Sequence, residues 1–182
     1  MHKGTVMFRA LLIACCLTSF PALAGGATAI GELVNQRLSL MKDVAGDKAQ
    51  RHLPIEDLAQ EAKVLASAQA EAERLGLEPD SVRPFIAAQM DAAKAIQYRY
   101  RADWLASPES GWQPRPLAQV RPQIAQLSSL ILQRLAERLR AGPLSEADRT
   151  AFMAPVDQVN LSAADKRRLA DALLAVKAGS AR

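Results

Sequence analysis

The sequence predicts an all-α protein: a bundle of about six helices, three of them long, followed by shorter C-terminal helices, with no sheet. Three observations carry this. Apolar residues make up 49% of the 182 residues but aromatic ones only 4%, with Ala and Leu prominent and the strand formers Val, Ile, Tyr and Thr scarce. Apolar positions recur at three- and four-residue spacing. Pro and Gly fall between those periodic stretches rather than within short alternating ones. The charged fraction of 23% and a mean hydropathy of -0.04 exclude a disordered chain and a polytopic membrane protein.

The N-terminal 24 residues read as a separate unit. They hold Lys3 and Arg9 and no acid, then an apolar stretch from Ala10 to Phe20, then Pro21-Ala22-Leu23-Ala24. A basic start, an apolar run too short to span a bilayer and an Ala-x-Ala site predict a secretory signal peptide over 1–24, cleaved before Gly25. Leu12-Ile13-Ala14-Cys15 has the look of a lipoprotein signal. Arg9, however, leaves almost no apolar stretch ahead of Cys15, so ordinary cleavage, with no stable membrane anchor, is the expectation. Both cysteines then leave with the leader, which rules out a disulfide framework in what remains. Removing Lys3 and Arg9 from the 23 basic residues leaves 21 against 19 acidic ones, a net charge of +2. That is weak support for a polyanionic partner.

Residues 25–182 read as one domain. The first helix is expected from about Ile30 to Arg51, with Ile30, Leu33, Val34, Leu38, Met41 and Val44 as its apolar stripe. His52-Leu53-Pro54 breaks it. Pro54 suits the first turn of a second helix, with Glu56 and Asp57 at its positive end, running to Leu75 and stopped by Gly76. Asp80 or Ser81 is expected to cap a third, with Pro84 in its first turn, extending through Phe85, Ile86, Met90, Ile96 and Trp104. Residues 107–116 are dense in turn formers and read as a linker. A fourth helix ends at Arg140, ahead of Gly142-Pro143. Ser145 with Asp148, and Ser162 with Asp165, have capping-box spacing and start two shorter helices.

No P-loop, HExxH, GxSxG or CxxC stands in the sequence, so the common nucleotide, zinc and nucleophile motifs are absent and no metal site is expected. The informative residues are polar ones at odd places. Arg37 and Lys48 are 11 residues apart, which on a straight helix is three turns and roughly 20°, with stations roughly 16 Å apart. Both border the face that Val44 buries. Two readings fit: long side chains snorkelling to water, or a pair of cations that grips one small anion. Asp57, Gln60 and Glu61 share a face of the second helix, either solvated or turned to a ligand. Gln97 follows Ala93 by four and Met90 by seven, which suits an interhelical hydrogen bond or a ligand contact. Arg121 near the start of the fourth helix opposes the helix dipole by about 0.3–1 kcal/mol. A bound carboxylate would explain it, and so would simple solvation. Tyr98-Arg99-Tyr100-Arg101 with Trp104 has the composition of a nucleic-acid surface, but at helical spacing these side chains diverge, and no nucleic-acid partner is expected.

Taken together, Asn35-Gln36-Arg37-Leu38, then Met41-Lys42-Asp43-Val44-Ala45-Gly46 ahead of Lys48, then Leu53-Pro54-Ile55-Glu56-Asp57, resemble the all-α chorismate mutases. The segment from Ala88 to Trp104 is similar to their secreted, periplasmic subclass in particular. The resemblance is close from about Ile30 to Ala141 and looser beyond. It implies a cofactor-independent rearrangement of chorismate to prephenate, serving phenylalanine and tyrosine synthesis, in a periplasmic or secreted homodimer whose sites are each built within one chain. It also implies roles: Arg37 and Arg121 on the substrate carboxylates, Lys48 and Gln97 donating to the ether oxygen, Asp57 and Glu61 near the ring hydroxyl. Gln60 stands where the family pattern has an arginine, Ala93 where relatives often carry a hydroxyl residue, and Asp47 where an aromatic residue is common. The competing expectation is a periplasmic helical protein that binds small carboxylates or a protein partner with little or no catalysis.

Overall fold

The computed structural model describes residues 22–179. The leader expected over 1–24 lies outside the described residues as far as residue 21. Seven helices follow one another: α1 (Ala22–Ser39), α2 (Met41–Gln50), α3 (Leu58–Arg74), α4 (Pro79–Ala106), α5 (Leu117–Leu139), α6 (Glu146–Met153) and α7 (Ala163–Leu174). Among the described residues there is no strand, only an isolated bridge between Leu77 and Ala178. No described helix is long and apolar enough to cross a membrane.

One helix more than expected arises because the first divides at Leu40. The Ser39 hydroxyl donates to the Gln36 carbonyl at 2.7 Å, which competes with the helix for that acceptor. Leu40 then takes a flattened ψ of -10°, which interrupts the helix between α1 and α2. The straight-helix arithmetic for Arg37 and Lys48 therefore holds only approximately.

The second helix begins later than Pro54 suggests. Asp57 is its N-cap, its carboxylate accepting from Gln60 N at 3.1 Å, so residues 53–57 form a loop. Ile55 anchors that loop in the core, and its carbonyl, which a helix would have used internally, accepts a 2.6 Å bond from Lys48 Nζ. α4 starts earlier than expected. The Glu78 carboxylate caps Asp80 N and Ser81 N with Pro79 at the first helical position, which moves Pro84 into the second turn. α5 begins at Leu117 behind Pro116, so Arg121 is its fifth residue and meets less of the dipole than a first-turn cation would. Both expected capping boxes form, at Ser145–Asp148 and Ser162–Asp165. Gly76 and Gly142 take the positive φ of 78° and 124° that end α3 and α5.

α1 packs against α5 and α6, α4 against α2, α3 and α7, and α3 also touches α5. The core runs through Val34, Leu38, Phe85, Ile96, Ile131 and Leu135, all nearly inaccessible, and Phe85 meets Phe152 edge-on with centroids 6.2 Å apart. The C-terminal helices are clamped by buried charge. Arg138 reaches both oxygens of Asp148 at 2.6 Å, and Arg99 reaches Asp165 at 2.6 Å. The run from Tyr98 to Arg101 does diverge: Tyr98 goes to Glu56, Arg99 to Asp165 and Arg101 to the Leu53 carbonyl.

α1 crosses α6 at Gly31, where an added Cβ would press into the Phe152 carbonyl and stand 2.8 Å from Pro155 Cγ. Gly31→Ala is expected to cost about 1–3 kcal/mol by overpacking, less what Ala gains as a helix former. A thermal melt should show a midpoint lowered by several degrees; an unchanged midpoint would mean that α6 gives way freely.

Candidate active site

Five helices line one cavity of about 450 Å³. α3 and α5 form its sides, α4 its floor, and α1 with α2 its inner wall. All eight residues singled out from the sequence line it: Arg37, Lys48, Asp57, Gln60, Glu61, Ala93, Gln97 and Arg121. They reach it from five helices of a single chain.

Arg37, near the end of α1, is 6% exposed. Its Nε donates to Ser128 Oγ at 3.2 Å and its Nη1 to the Gln89 carbonyl at 3.5 Å. Both partners are neutral, and no described carboxylate lies within ion-pair distance of it. Burial pulls its guanidinium down to about 10, since desolvation disfavours the charged form. Lys48, on α2, is 8% exposed and likewise has only a neutral acceptor, Ile55 O at 2.6 Å. Burial lowers its ammonium below the ordinary lysine value. Arg121 and Arg101 push the same way, while Asp57 and Glu61 oppose them.

The carboxylates facing the cavity are each engaged elsewhere. Asp57 caps α3 and lies 3.9 Å from Arg121 Nη2, both side chains about half exposed. Glu61 pairs with Lys94 at 3.0 Å, and that bond, against some burial, holds the Lys94 ammonium above its usual value. Deeper in, both oxygens of Glu71 accept from Ser129 Oγ at 2.7 and 2.8 Å. Gln60 lines the wall with its side chain free of a described partner. Gln97 Nε2 donates to the Ala93 carbonyl at 3.1 Å and contacts Met41 Sδ at 3.7 Å, while its Oε1 is buried with no partner. Ala93 leaves that oxygen without the donor a hydroxyl side chain one turn away could supply.

Sequence reasoning missed Lys94, Ser128, Gln89 and the Ile55 carbonyl. A signal existed for one of them: Arg121, Ala125, Ser128 and Leu132 recur at i, i+4, i+7 and i+11 and mark the inner face of α5. Backbone carbonyls leave no such trace. Among the described residues no cluster of His, Cys, Asp and Glu could hold a metal ion.

An arrangement of two buried cations without ion-pair partners, set in a partly apolar cavity, suits a small polyanion with an uncharged ring or chain between its charged groups. The comparisons with known proteins agree with that chemistry. A family model described as chorismate mutase type II matches residues 28–98. Over 166 residues, 91% of this chain and 89% of the relative, the sequence is 48% identical to the secreted chorismate mutase of Yersinia pestis. It is 40% identical over 168 residues to the monofunctional chorismate mutase of Enterobacter agglomerans, covering 92% and 93% of the two chains. The crystal structure of the Yersinia pestis secreted chorismate mutase superposes with a TM-score of 0.77 at 50% identity, over 82% of this chain and 97% of that one.

Removing an unpaired buried charge relieves desolvation. Arg37→Met should therefore fold with a thermal midpoint equal to or above that of the parent. A midpoint lower by more than about 4 °C, the order of 1–2 kcal/mol in a chain this size, would mean that the guanidinium stabilises the fold in its own right.

Proposed function

The chain belongs to the chorismate mutase family, and we propose that the cavity between α3 and α5 is where it rearranges chorismate to prephenate. The observation that carries this is the pair of buried cations, Arg37 and Lys48, which face the cavity with no described carboxylate within ion-pair distance. A fold does not keep such charges desolvated without something to offset them, and a dianionic substrate does so.

The reaction is an intramolecular Claisen rearrangement: the ether C–O bond breaks as a C–C bond forms, and negative charge gathers on the ether oxygen. It needs no nucleophile. Two tasks remain for the protein, to hold the substrate in its compact reactive conformer and to offer donors to the developing charge. Arg37 and Arg121 grip the two carboxylates, the planar guanidinium fork suiting this. Lys48 Nζ, anchored by one bond to Ile55 O, has two further N–H groups to direct at the ether oxygen. Gln97 supplies a second donor. Its contact to the Met41 sulfur is a weak bond, readily given up to a better acceptor. Asp57 and Glu61 stand near the ring hydroxyl, and Ala93 bounds the floor beneath it. Gln60 is the departure. It offers a hydrogen bond where relatives offer a charge, at a cost of about 1.5–3 kcal/mol in transition-state binding, or one to two decades in kcat/KM.

The leader composition of residues 1–24, together with the secreted naming of a relative, supports export to the periplasm or beyond. The family resemblance supports a homodimer, each of whose sites is complete within its own chain. A second reading rests on Gln60 and on the unpartnered Gln97 Oε1: a site that binds chorismate or related carboxylates and turns them over slowly.

The direct test mixes protein from Gly25 onward with chorismate, follows the loss of its ultraviolet absorbance and identifies the product. Lys48→Ala is expected to lower kcat/KM by about 10²–10³-fold with the helical circular dichroism unchanged. In the parent, kcat/KM should fall on the alkaline side with a midpoint below the ordinary lysine value of 10.5, because the Lys48 ammonium and the Arg37 guanidinium, itself pulled down to about 10, are the active forms. Between the lowered Lys48 value and 10.5 the unfolded chain binds more protons at Lys48, so this residue makes stability rise with pH, and circular dichroism over the same range separates loss of charge from unfolding. Normal turnover in Lys48→Ala would remove Lys48 from the site.

Gln60→Arg restores the missing charge and should raise kcat/KM by about tenfold or more. Steady-state kinetics unchanged in both kcat and KM would place residue 60 outside the carboxylate grip. A large gain would explain slow turnover in the parent.

A further inference from the structure

α2 is a ten-residue helix tied on two opposite sides. Met41, Val44 and Lys48, at i, i+3 and i+7, face the cavity. On the other side, residues 42, 43, 46 and 50 are held by the segment between α4 and α5. Lys42 Nζ lies 2.6 Å from Glu109 and 4.4 Å above the Trp112 ring. Arg115 reaches the buried Asp43 through its backbone N at 3.0 Å, its Nε at 2.7 Å and its Nη2 at 2.6 Å. Gln50 donates to Gln113 at 3.0 Å. At Gly46 a Cβ would stand 2.7 Å from Trp112 Cη2 and 2.8 Å from Pro114 Cβ, so a mid-helix glycine is explained by the closeness of this segment rather than by a turn. Trp112 is itself backed by Trp104, with centroids 5.6 Å apart, and Trp104 by Tyr100 at 5.5 Å.

Such a segment has a mechanical consequence. A helix of ten residues is marginal alone, and the break at Leu40 interrupts its continuity with α1. A rotation of α2 by about 20° would move an ammonium roughly 7 Å from its axis by about 2 Å. Displacements of that order cost a catalytic group most of its effect. The same segment runs directly into α5, which carries Arg121 four residues past its first.

We propose that residues 109–115 form a positioning strap that fixes the rotation of α2, and so the placement of Lys48 relative to Arg121, with Asp43, Trp112 and Arg115 as its positioning residues. The inference rests on Lys48 being the donor to the reacting oxygen. It goes beyond that reading by assigning a role to a linker that touches no substrate.

The test compares Trp112→Ala, Trp112→Phe and Arg115→Gln with the parent. Trp112→Ala should lower kcat at least about tenfold with KM changed less than about threefold. The Lys48 amine, followed by NMR of ε-¹³C-labelled lysine, should titrate closer to the ordinary lysine value as its burial relaxes. Trp112→Phe should recover most of kcat. Arg115 is about half exposed, so Arg115→Gln keeps the fold if Trp112→Ala does not, and should lose about three- to tenfold in kcat. Turnover within about twofold of the parent in both variants, with the Lys48 titration unmoved, overturns the strap. Failure of the functional reading looks different: the parent does not convert chorismate, or Lys48→Ala still does, while the Lys48 titration in Trp112→Ala continues to report whether the strap positions that side chain.

Discussion

Two arginines in this chain are buried almost equally, Arg37 at 6% exposure and Arg138 at 8%, and only one has a carboxylate. Arg138 meets Asp148 through two 2.6 Å bonds and adds the carbonyls of Gly142 and Pro143. Its charge is answered inside the protein, and its work is to fasten α6 to the end of α5. Burial pushes the Asp148 carboxyl up, but the bonds from Arg138 and Ser145 outweigh it and hold it below the ordinary aspartate value. Arg37 is answered by a serine hydroxyl and a backbone carbonyl. Those oxygens orient a guanidinium without neutralising it. The contrast separates a charge answered inside the fold from one that is not, and on the proposed function the second kind is answered by the substrate.

That constraint explains details that local propensity leaves arbitrary. The loop at 53–57 exists instead of another helical turn because Ile55 must give its carbonyl to Lys48. The inner face of α5 carries a serine pair: Ser128 steers Arg37, and the Ser129 hydroxyl holds the Glu71 carboxylate, which makes no ion pair with either cation. Lys94 does the same for Glu61. Every acidic residue lining the cavity is thus engaged by another group, which leaves the two deepest cations for an anion from outside.

Much of this was legible in the sequence, for physical reasons that also mark where legibility ends. Helices declare themselves through apolar periodicity and through caps, and the Ser145–Asp148 and Ser162–Asp165 boxes formed as their spacing indicates. Arg37, Lys48, Asp57, Gln60, Glu61, Ala93, Gln97 and Arg121 could be named together because helical spacing and a family resemblance both select side chains. Neither selects backbone. The Ile55 and Gln89 carbonyls, the kink that the Ser39 hydroxyl induces and the Asp57 cap in place of a start at Pro54 are all decided by competition for backbone hydrogen bonds. Tertiary packing settles that competition, and the sequence does not display it. The 107–116 stretch hid its role for a related reason: turn formers announce a connection but not what the connection lies against.

The same view accounts for the two helices beyond the region of close resemblance. α6 braces α1, which carries Arg37, and α7 braces α4, which carries Ala93, Lys94 and Gln97. Arg99, five residues past Lys94 and on the side of α4 that meets α7 rather than the cavity, is fastened to Asp165 and to the Asn160 carbonyl, with Asn160 at a positive φ of 68°. A site that works by fixed electrostatics gains only if its donors do not relax toward the groups that would neutralise them. In a helical bundle the freedom to relax is chiefly the sliding and rolling of whole helices. The packing of α6 on α1 and of α7 on α4, with the proposed strap on α2, opposes those motions one helix at a time, which is what Arg37 and Lys48, without ion-pair partners, require to remain available.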